Sequence, residues 1–138
     1  FARRTAVGAD NARLSMILAV LEKKAGLQLI NQDVYVNIVG GLKPEGTSVD
    51  LALALAIYSS LKNVAPSVKT IAIGELGLTG DLRAIRNADK IVKEAARMGY
   101  ERVLLPISNR RTVKEEPAGC RVIGIKNIRD AIRAFSSR

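Results

Sequence analysis

Apolar residues recur along the chain at two spacings, one typical of helices and the other of strands. After Asp10, leucines and isoleucines return every three or four residues until Gly26, so we predict a first helix that Asp10 caps and Gly26 ends. The apolar run 49–61 predicts a second, largely buried helix. Thr47 and Asp50 have the spacing of a capping box at its start.

Two further amphipathic helices are predicted nearer the C-terminus. The first covers residues 87–98 and ends at Gly99. Its predicted core face comprises Ile91, Val92, Ala95 and Met98. The last helix is marked by the apolar residues Ile128, Ala131, Ile132 and Phe135. Both helices have polar residues between these positions, so each is expected to cover a core with one face.

Strands are indicated where the apolar period shortens to two residues. Residues 34–39 alternate in this way, with Val34, Val36 and Ile38 on one face. Residues 71–76 and 82–85 flank Gly77 and Gly80, which predicts a tight hairpin. Shorter strands are predicted at 103–106 and 121–124. Helices alternate with strands and one hairpin is present, so we predict an α/β domain with a mixed sheet and packed helices.

Composition limits the class of protein. A chain of 138 residues that is 48% hydrophobic can bury a core as one globular domain. Its apolar runs are shorter than the roughly 20 residues of a membrane span, so no membrane partner is expected. Cys120 is the single cysteine, which excludes an internal disulfide or a cysteine-based zinc cluster. We expect a buried thiol in a reducing, cytoplasmic setting.

The charge balance points to a polyanionic partner. Lysine and arginine number 22 against 13 acidic residues, which leaves a net charge of +9 and a pI of about 10.1. Such a surface attracts nucleic acid because phosphate contacts release counterions. Aromatic residues make up only 4% of the chain, so a base-stacking platform is not predicted. We therefore expect contacts to phosphates.

Four motifs carry a resemblance to a known family. They are NQDVYV (31–36), GGLK (40–43), TSVDLA (47–52) and GELGLTG (74–80). Together they resemble the C-terminal Lon-protease-like domain of the bacterial RadA (Sms) family, and the likeness extends over essentially the whole chain. The resemblance implies a Lon-peptidase-like fold of the ribosomal-protein domain-2 type for residues 1–138.

The same resemblance implies a longer protein that repairs and recombines DNA. Its zinc-finger and RecA-like ATPase segments would precede this chain, which begins at Phe1 and is expected to be a fragment. ATP, Mg and Zn would belong to those segments, and no cofactor is expected here, because the chain has neither a phosphate-binding loop motif nor paired cysteines. Implied partners are a hexameric ring of copies, single-stranded or branched DNA, and a RecA-type recombinase.

The serine of Lon peptidases corresponds to Ser48, and the lysine that activates it corresponds to Ile91. Isoleucine cannot accept a proton, and the chain contains no histidine. Lys90 is adjacent, but neighbouring helical positions differ by about 100°, so its side chain should point elsewhere. We therefore interpret Ser48 as a vestigial residue that satisfies backbone N–H groups at a helix start, and Asp50 as a complement to the helix dipole.

Basic residues carry the predicted function. Lys43, Arg83 and Arg86 lie at motif positions that the resemblance assigns to DNA contact inside a ring. Lys90 follows Arg86 at helical spacing, in a basic stripe that continues to Arg97. The predicted DNA-binding residues are therefore Lys43, Arg83, Arg86 and Lys90, with no catalytic residue and no metal site.

Three functions remain open from the sequence. The favoured one is a non-peptidase, ring-forming domain that grips DNA without sequence specificity while an attached ATPase drives branch migration of recombination intermediates. A second is an active Ser/Lys peptidase, which would need another lysine in place of Ile91. A third is a structural oligomerisation module whose charge never contacts DNA. Salt-dependent DNA binding would separate the first from the third.

Overall fold

The elements of the fold follow the predicted order with two additions. The computed structural model describes residues 2–39 and 46–137. The strands are β1 (Arg4–Val7), β2 (Val34–Asn37), β3 (Thr70–Ala72), β4 (Glu75–Leu76), β5 (Leu82–Arg83), β6 (Arg102–Pro106) and β7 (Arg121–Ile125). The helices are α1 (Asn11–Ala25), α2 (Asp50–Lys62), α3 (Ala88–Arg97), α4 (Ile107–Arg110) and α5 (Ile128–Ser136). The sequence analysis did not predict β1 or the short α4.

Within the described residues, the strands pair in separate sheets. β6 lies between β3 and β7, and all three are parallel. β1 and β2 form a parallel pair of their own, and β4 pairs with β5 as an antiparallel hairpin. The α/β class is therefore confirmed, and both pairing modes are present. The predicted single mixed sheet is not found, because the hairpin strands pair only with each other.

The core lies on both faces of the β3–β6–β7 sheet. Leu104 of β6 packs into a cluster with α1, α2 and α5, while Val103 and Leu105 point to a second cluster with α3. This is the two-residue alternation expected of a strand that is buried on both faces. The two clusters therefore share one sheet, and residues 70–125 connect them.

The ends of the first two helices illustrate one confirmed prediction and one wrong one. The Asp10 carboxylate accepts a hydrogen bond from Ala12 N–H, and Gly26 ends α1 in the left-handed conformation, as predicted. The capping box of Thr47 and Asp50 is absent, because α2 begins only at Asp50 and its N-cap residue makes no side-chain capping bond. The Asp50 carboxylate instead binds groups outside α2.

Two expectations about the third helix are also corrected. Met98 is 54% exposed and follows the end of α3, so it is not a core residue. Arg86 precedes the N-cap Asn87, so it lies outside the helix and does not share its basic stripe. The core prediction holds for Val92 and Ala95, which are both buried.

The C-terminal helix is fastened by a buried arginine. Arg102, with no exposed surface, donates hydrogen bonds of 2.7–2.8 Å to the carbonyl oxygens of Ala134, Phe135 and Ser137. Burial lowers the pKa of its guanidinium, and these carbonyls at the negative end of the α5 dipole offset the cost of that burial. In the part of the chain that the structure describes, no helix is long and apolar enough to cross a membrane.

Candidate functional sites around the β4–β5 hairpin

The structure brings the serine motif and the glycine-rich motif into direct contact. Gly74 N–H donates to the carbonyl oxygen of Ser48 at 2.8 Å, and Leu51 N–H donates to the carbonyl oxygen of Gly74 at 3.1 Å. Leu76 N–H donates to the Asp50 carboxylate at 2.9 Å. The first residues of the hairpin are thereby held against the start of α2, so two motifs 26 residues apart form one site.

A buried ion pair forms the floor of this site. The Asp50 carboxylate has no exposed surface and accepts two hydrogen bonds from the Arg13 guanidinium, the one from Nε at 3.1 Å. Arg13 also donates to the carbonyl oxygen of Leu76 at 3.2 Å and lies 3.9 Å from the Glu75 carboxylate. The bond to Asp50 raises the pKa of Arg13. Asp50 is therefore a partner of α1 and β4, beyond its predicted role at the helix dipole.

This arrangement offers Ser48 little that resembles a catalytic base. Arginine stays protonated in proteins, and the Asp50 carboxylate is already occupied by its donors. Ile91, at the position of the peptidase lysine, is half-buried on α3, and Lys90 beside it is exposed. Every lysine in residues 2–39 and 46–137 is exposed, whereas a lysine base needs burial to lower its pKa.

The hairpin itself is rigidly built. Gly80 N–H closes the turn by donating to the Gly77 carbonyl oxygen at 3.0 Å, and Gly77 N–H donates to the Asp81 carbonyl oxygen at 2.9 Å. The Thr79 hydroxyl donates to the Asp81 carboxylate at 2.6 Å, which lowers the pKa of Asp81. Gly80 has a φ of +86° and packs so closely on Lys24 that a Cβ would lie 3.1 Å from it. The turn is therefore fixed against α1.

The described members of the predicted DNA-binding set are all exposed. Arg83 lies on β5 with its Nε 3.9 Å from the Asp81 carboxylate. Arg86 lies in the connection to α3, which Asn109 anchors through two hydrogen bonds of 2.8 and 2.9 Å to the backbone of Ile85. Lys90 lies on the solvent side of α3. Lys43 and its glycine turn fall outside the described residues.

The fold adds other cations beside Arg83 that the sequence analysis missed. Leu82 N–H donates to the carbonyl oxygen of Lys126 at 3.1 Å, and the Arg129 Nε donates to the carbonyl oxygen of Lys24 at 2.7 Å. We name Lys24, Arg83, Lys126 and Arg129 the hairpin cluster. All four side chains are exposed. Among the described residues, Arg83 alone of the four has a carboxylate within 4 Å.

The signals for the missed residues were weak in the sequence. Asp50 was the charged residue in an otherwise apolar helix, and Arg13 lies one turn before the buried Ile17 of α1. Both features hint at a buried ion pair, but neither identifies the partner. The hairpin cluster gave no signal, because its members come from three segments that only tertiary packing brings together.

Comparison with known proteins places this architecture in a family. The family described as subunit ChlI of Mg-chelatase matches residues 3–109, which include the serine motif, the hairpin and α3. The chain belongs to the ChlI family. Within residues 2–39 and 46–137, the ChlI-family chain holds no group of three or more side chains that could bind a metal ion.

Curated relatives of this ChlI-family chain are bacterial DNA repair proteins. It is 41% identical to the DNA repair protein RadA of Bacillus subtilis over 131 residues, and 41% identical to that of Escherichia coli over 133 residues. It is 40% identical to RadA of Halalkalibacterium halodurans over 138 residues. These alignments cover 95%, 96% and 99% of the chain. The resemblance to RadA that the motifs indicated is confirmed.

The match is confined to one part of each relative. The chain spans 28% of the Bacillus and Escherichia proteins and 30% of the Halalkalibacterium protein. The similarity therefore concerns a segment of about the size of one domain, and the other segments of RadA have no counterpart in these 138 residues.

Proposed function

We propose that this chain is a DNA-gripping, ring-forming domain without peptidase activity, a single-domain fragment of a RadA-like ATP-dependent repair and recombination protein. The hairpin cluster is the observation that carries the proposal, because cations from three separate segments lie together with a single neighbouring carboxylate. Clustered, unpaired cations on one surface are the electrostatic footprint of phosphate binding.

The DNA contacts in this proposal combine the cluster with the residues predicted from sequence. Lys43, Arg83, Arg86 and Lys90 would extend the basic surface from the hairpin along α3, with the Asn109 anchor holding the connection in place. Contacts of this kind position a protein on single-stranded or branched DNA without reading its bases. The domain would act in the cytoplasm, as part of a hexameric ring.

Segments beyond this chain would supply the energy for the reaction. In the proposed full protein, ATP with Mg drives movement on DNA, a zinc finger precedes the motor, and a RecA-type recombinase is the partner in branch migration. This role follows the similarity to DNA repair protein RadA, of which the chain covers less than a third. The domain itself would contribute grip and assembly, without catalysis.

The peptidase alternative is disfavoured by the surroundings of Ser48. Its motif neighbours are a fully paired carboxylate, a permanently charged arginine and an isoleucine at the lysine position. A fluorophosphonate probe reacts with serines that a base has activated. We expect Ser48 to remain unlabelled at a probe concentration that fully labels a serine hydrolase, and efficient labelling would restore the peptidase hypothesis.

The DNA proposal is tested by fluorescence anisotropy of labelled single-stranded DNA over a salt series. Two interface variants, Lys43→Ala with Arg83→Ala and Lys126→Ala with Arg129→Ala, are compared with the control Lys62→Ala with Lys114→Ala. All three remove two positive charges, and the control residues are exposed and outside the proposed interface. Two lost phosphate contacts should reduce the slope of log K against log salt by about 1.4.

The control variant should keep the wild-type slope, because its lysines lie away from the hairpin. Equal losses in all three variants would mean that net charge alone attracts DNA. Absence of binding at low salt would leave the purely structural oligomerisation module as the function of this chain.

A further inference from the structure

An apolar groove runs between β2 and α2 on the side of the molecule that has no layer over it. Its volume is about 700 Å³. The α2 side is formed by small or short residues such as Ala52, Ala56 and Ser60, which leave space above the helix. The β2 side includes Tyr35 and Val39, which are 64% and 76% exposed. Exposed apolar surface of this kind typically marks an interaction site.

The charge of the groove sets it apart from the rest of the surface. The chain carries 22 lysines and arginines, yet none of them is among the described residues that line the groove. Its one charged lining residue among these is Asp33. A polyanion has no cation to contact there, whereas an apolar segment with a basic flank would suit both its lining and its charge.

The hairpin tip of the same chain has this chemistry. Leu78 at the centre of the turn is 73% exposed, although leucine is usually buried. The backbone bonds of Gly77 and Gly80 and the Thr79–Asp81 bond hold the turn in one conformation. Little conformational entropy would therefore be lost on docking. Cations of the hairpin cluster flank the tip and are complementary to Asp33.

The groove and the hairpin lie on opposite sides of α2. Asp50, which binds Leu76 at the base of the hairpin, defines one side of the helix. At about 100° per residue, Ala52 and Ala56 are about 200° and 240° further round the helix axis. One chain therefore cannot place its own tip in its own groove. A head-to-tail contact between copies satisfies both surfaces, and such contacts close into rings.

We propose that Leu78 at the hairpin tip of one copy inserts into the β2–α2 groove of the next copy. This inference rests on the proposed ring-forming function and specifies its subunit contact. It also places the hairpin cluster of each copy beside a subunit boundary, where cations of successive copies would form a continuous basic track for the DNA backbone.

Cross-linking between single-cysteine variants tests the contact directly. The 138-residue chain with Leu78→Cys is mixed with the chain carrying Ala56→Cys and is oxidised mildly. Disulfides form only when the two Cα atoms come within about 7 Å, so the mixed dimer should form rapidly. The native Cys120 is buried and its thiol pKa is raised, which keeps it unreactive. In the control, Met98→Cys replaces Leu78→Cys, because Met98 is another exposed apolar residue.

We expect the Leu78–Ala56 pair to cross-link at least tenfold faster than the Met98–Ala56 pair. In sedimentation velocity, Leu78→Asp should weaken self-association at least tenfold, and Met98→Asp should leave it unchanged. Assembly of the wild-type chain without the preferential cross-link would overturn the proposed contact and assign the groove to another occupant, while the ring-forming function would stand. A wild-type chain that stays monomeric would overturn both, and the anisotropy series would still decide DNA binding separately.

Discussion

Asp50 shows how one side chain couples three parts of the molecule. It begins α2, accepts from Arg13 of α1 and accepts from the backbone of Leu76 in β4. Its carboxylate is completely buried, so each of these donors replaces water that the folded state excludes. The residue that Lon peptidases replace by glycine has thus become a structural centre beside the former nucleophile position.

Replacing Asp50 by alanine is therefore expected to be costly. The Asp50→Ala change leaves the Arg13 guanidinium and the Leu76 N–H without their acceptor, which should lower the free energy of unfolding by about 3 kcal/mol. Urea denaturation measures the loss. The matched control is Asp89→Ala, since Asp89 is also acidic and in a first helical turn but is exposed; its cost should stay below about 1 kcal/mol.

A double-mutant cycle with Arg13→Ala separates the pair from the helix dipole. If the ion pair dominates, the double variant should be more stable than the sum of the single losses predicts, because neither charge is left alone. An Asp50→Ala cost no larger than that of Asp89→Ala would reduce Asp50 to the dipole role predicted from sequence.

At the scale of elements, the hairpin depends on one glycine that contacts a neighbouring helix. Gly80 and Gly99 share a φ of +86°, but only Gly80 has atoms near the position of a Cβ, namely those of Lys24 and Ile128. The backbone strain of an alanine is therefore the same at both sites, and the difference between them reports the packing of the hairpin against α1 and α5.

We expect Gly99→Ala to cost about 1 kcal/mol of unfolding free energy from the left-handed conformation alone. Gly80→Ala should cost about 2–3 kcal/mol, because Lys24 must also move. Chemical denaturation of the two variants gives this comparison. Equal costs would mean that the hairpin is loosely seated, which would also weaken the argument that its tip is preorganised for docking.

At the scale of the whole molecule, the parallel sheet makes two hydrophobic clusters into one cooperative unit. β6 supplies residues to both clusters, so neither can lose its packing without affecting the other. We expect Leu21→Ala, in the α1 cluster, to reduce the hydrogen-exchange protection of slow amides in α3 as much as in α1. The reduction should correspond to about 2–5 kcal/mol for a fully buried leucine.

The control for this prediction is Ser15→Ala on the exposed face of α1, which should leave both helices protected. A reduction confined to α1 would show that the α3 cluster opens independently. Mass spectrometry of peptides from the two helices distinguishes these outcomes.

Most elements were predictable because their signals are local. The caps of α1, the alternation of β2 and the glycine hairpin each lie within a few neighbouring residues. β1 escaped prediction because a four-residue segment with mixed polarity becomes a strand only by pairing with β2, 30 residues further along. The capping box failed because the Asp50 carboxylate has stronger partners elsewhere than the backbone of its own helix.

The sequence by itself determined the α/β class, the hydrophobic faces, the excess of positive charge and the family, since periodicity, composition and motifs need no third dimension. Only the tertiary structure decided that Arg13 pairs with Asp50 and that Lys24, Lys126 and Arg129 gather around Arg83. Only it separated the groove from the hairpin tip by the thickness of α2. The physical reason is that burial, charge pairing and surface complementarity depend on distances between segments, and those distances exist only once the sheet has assembled.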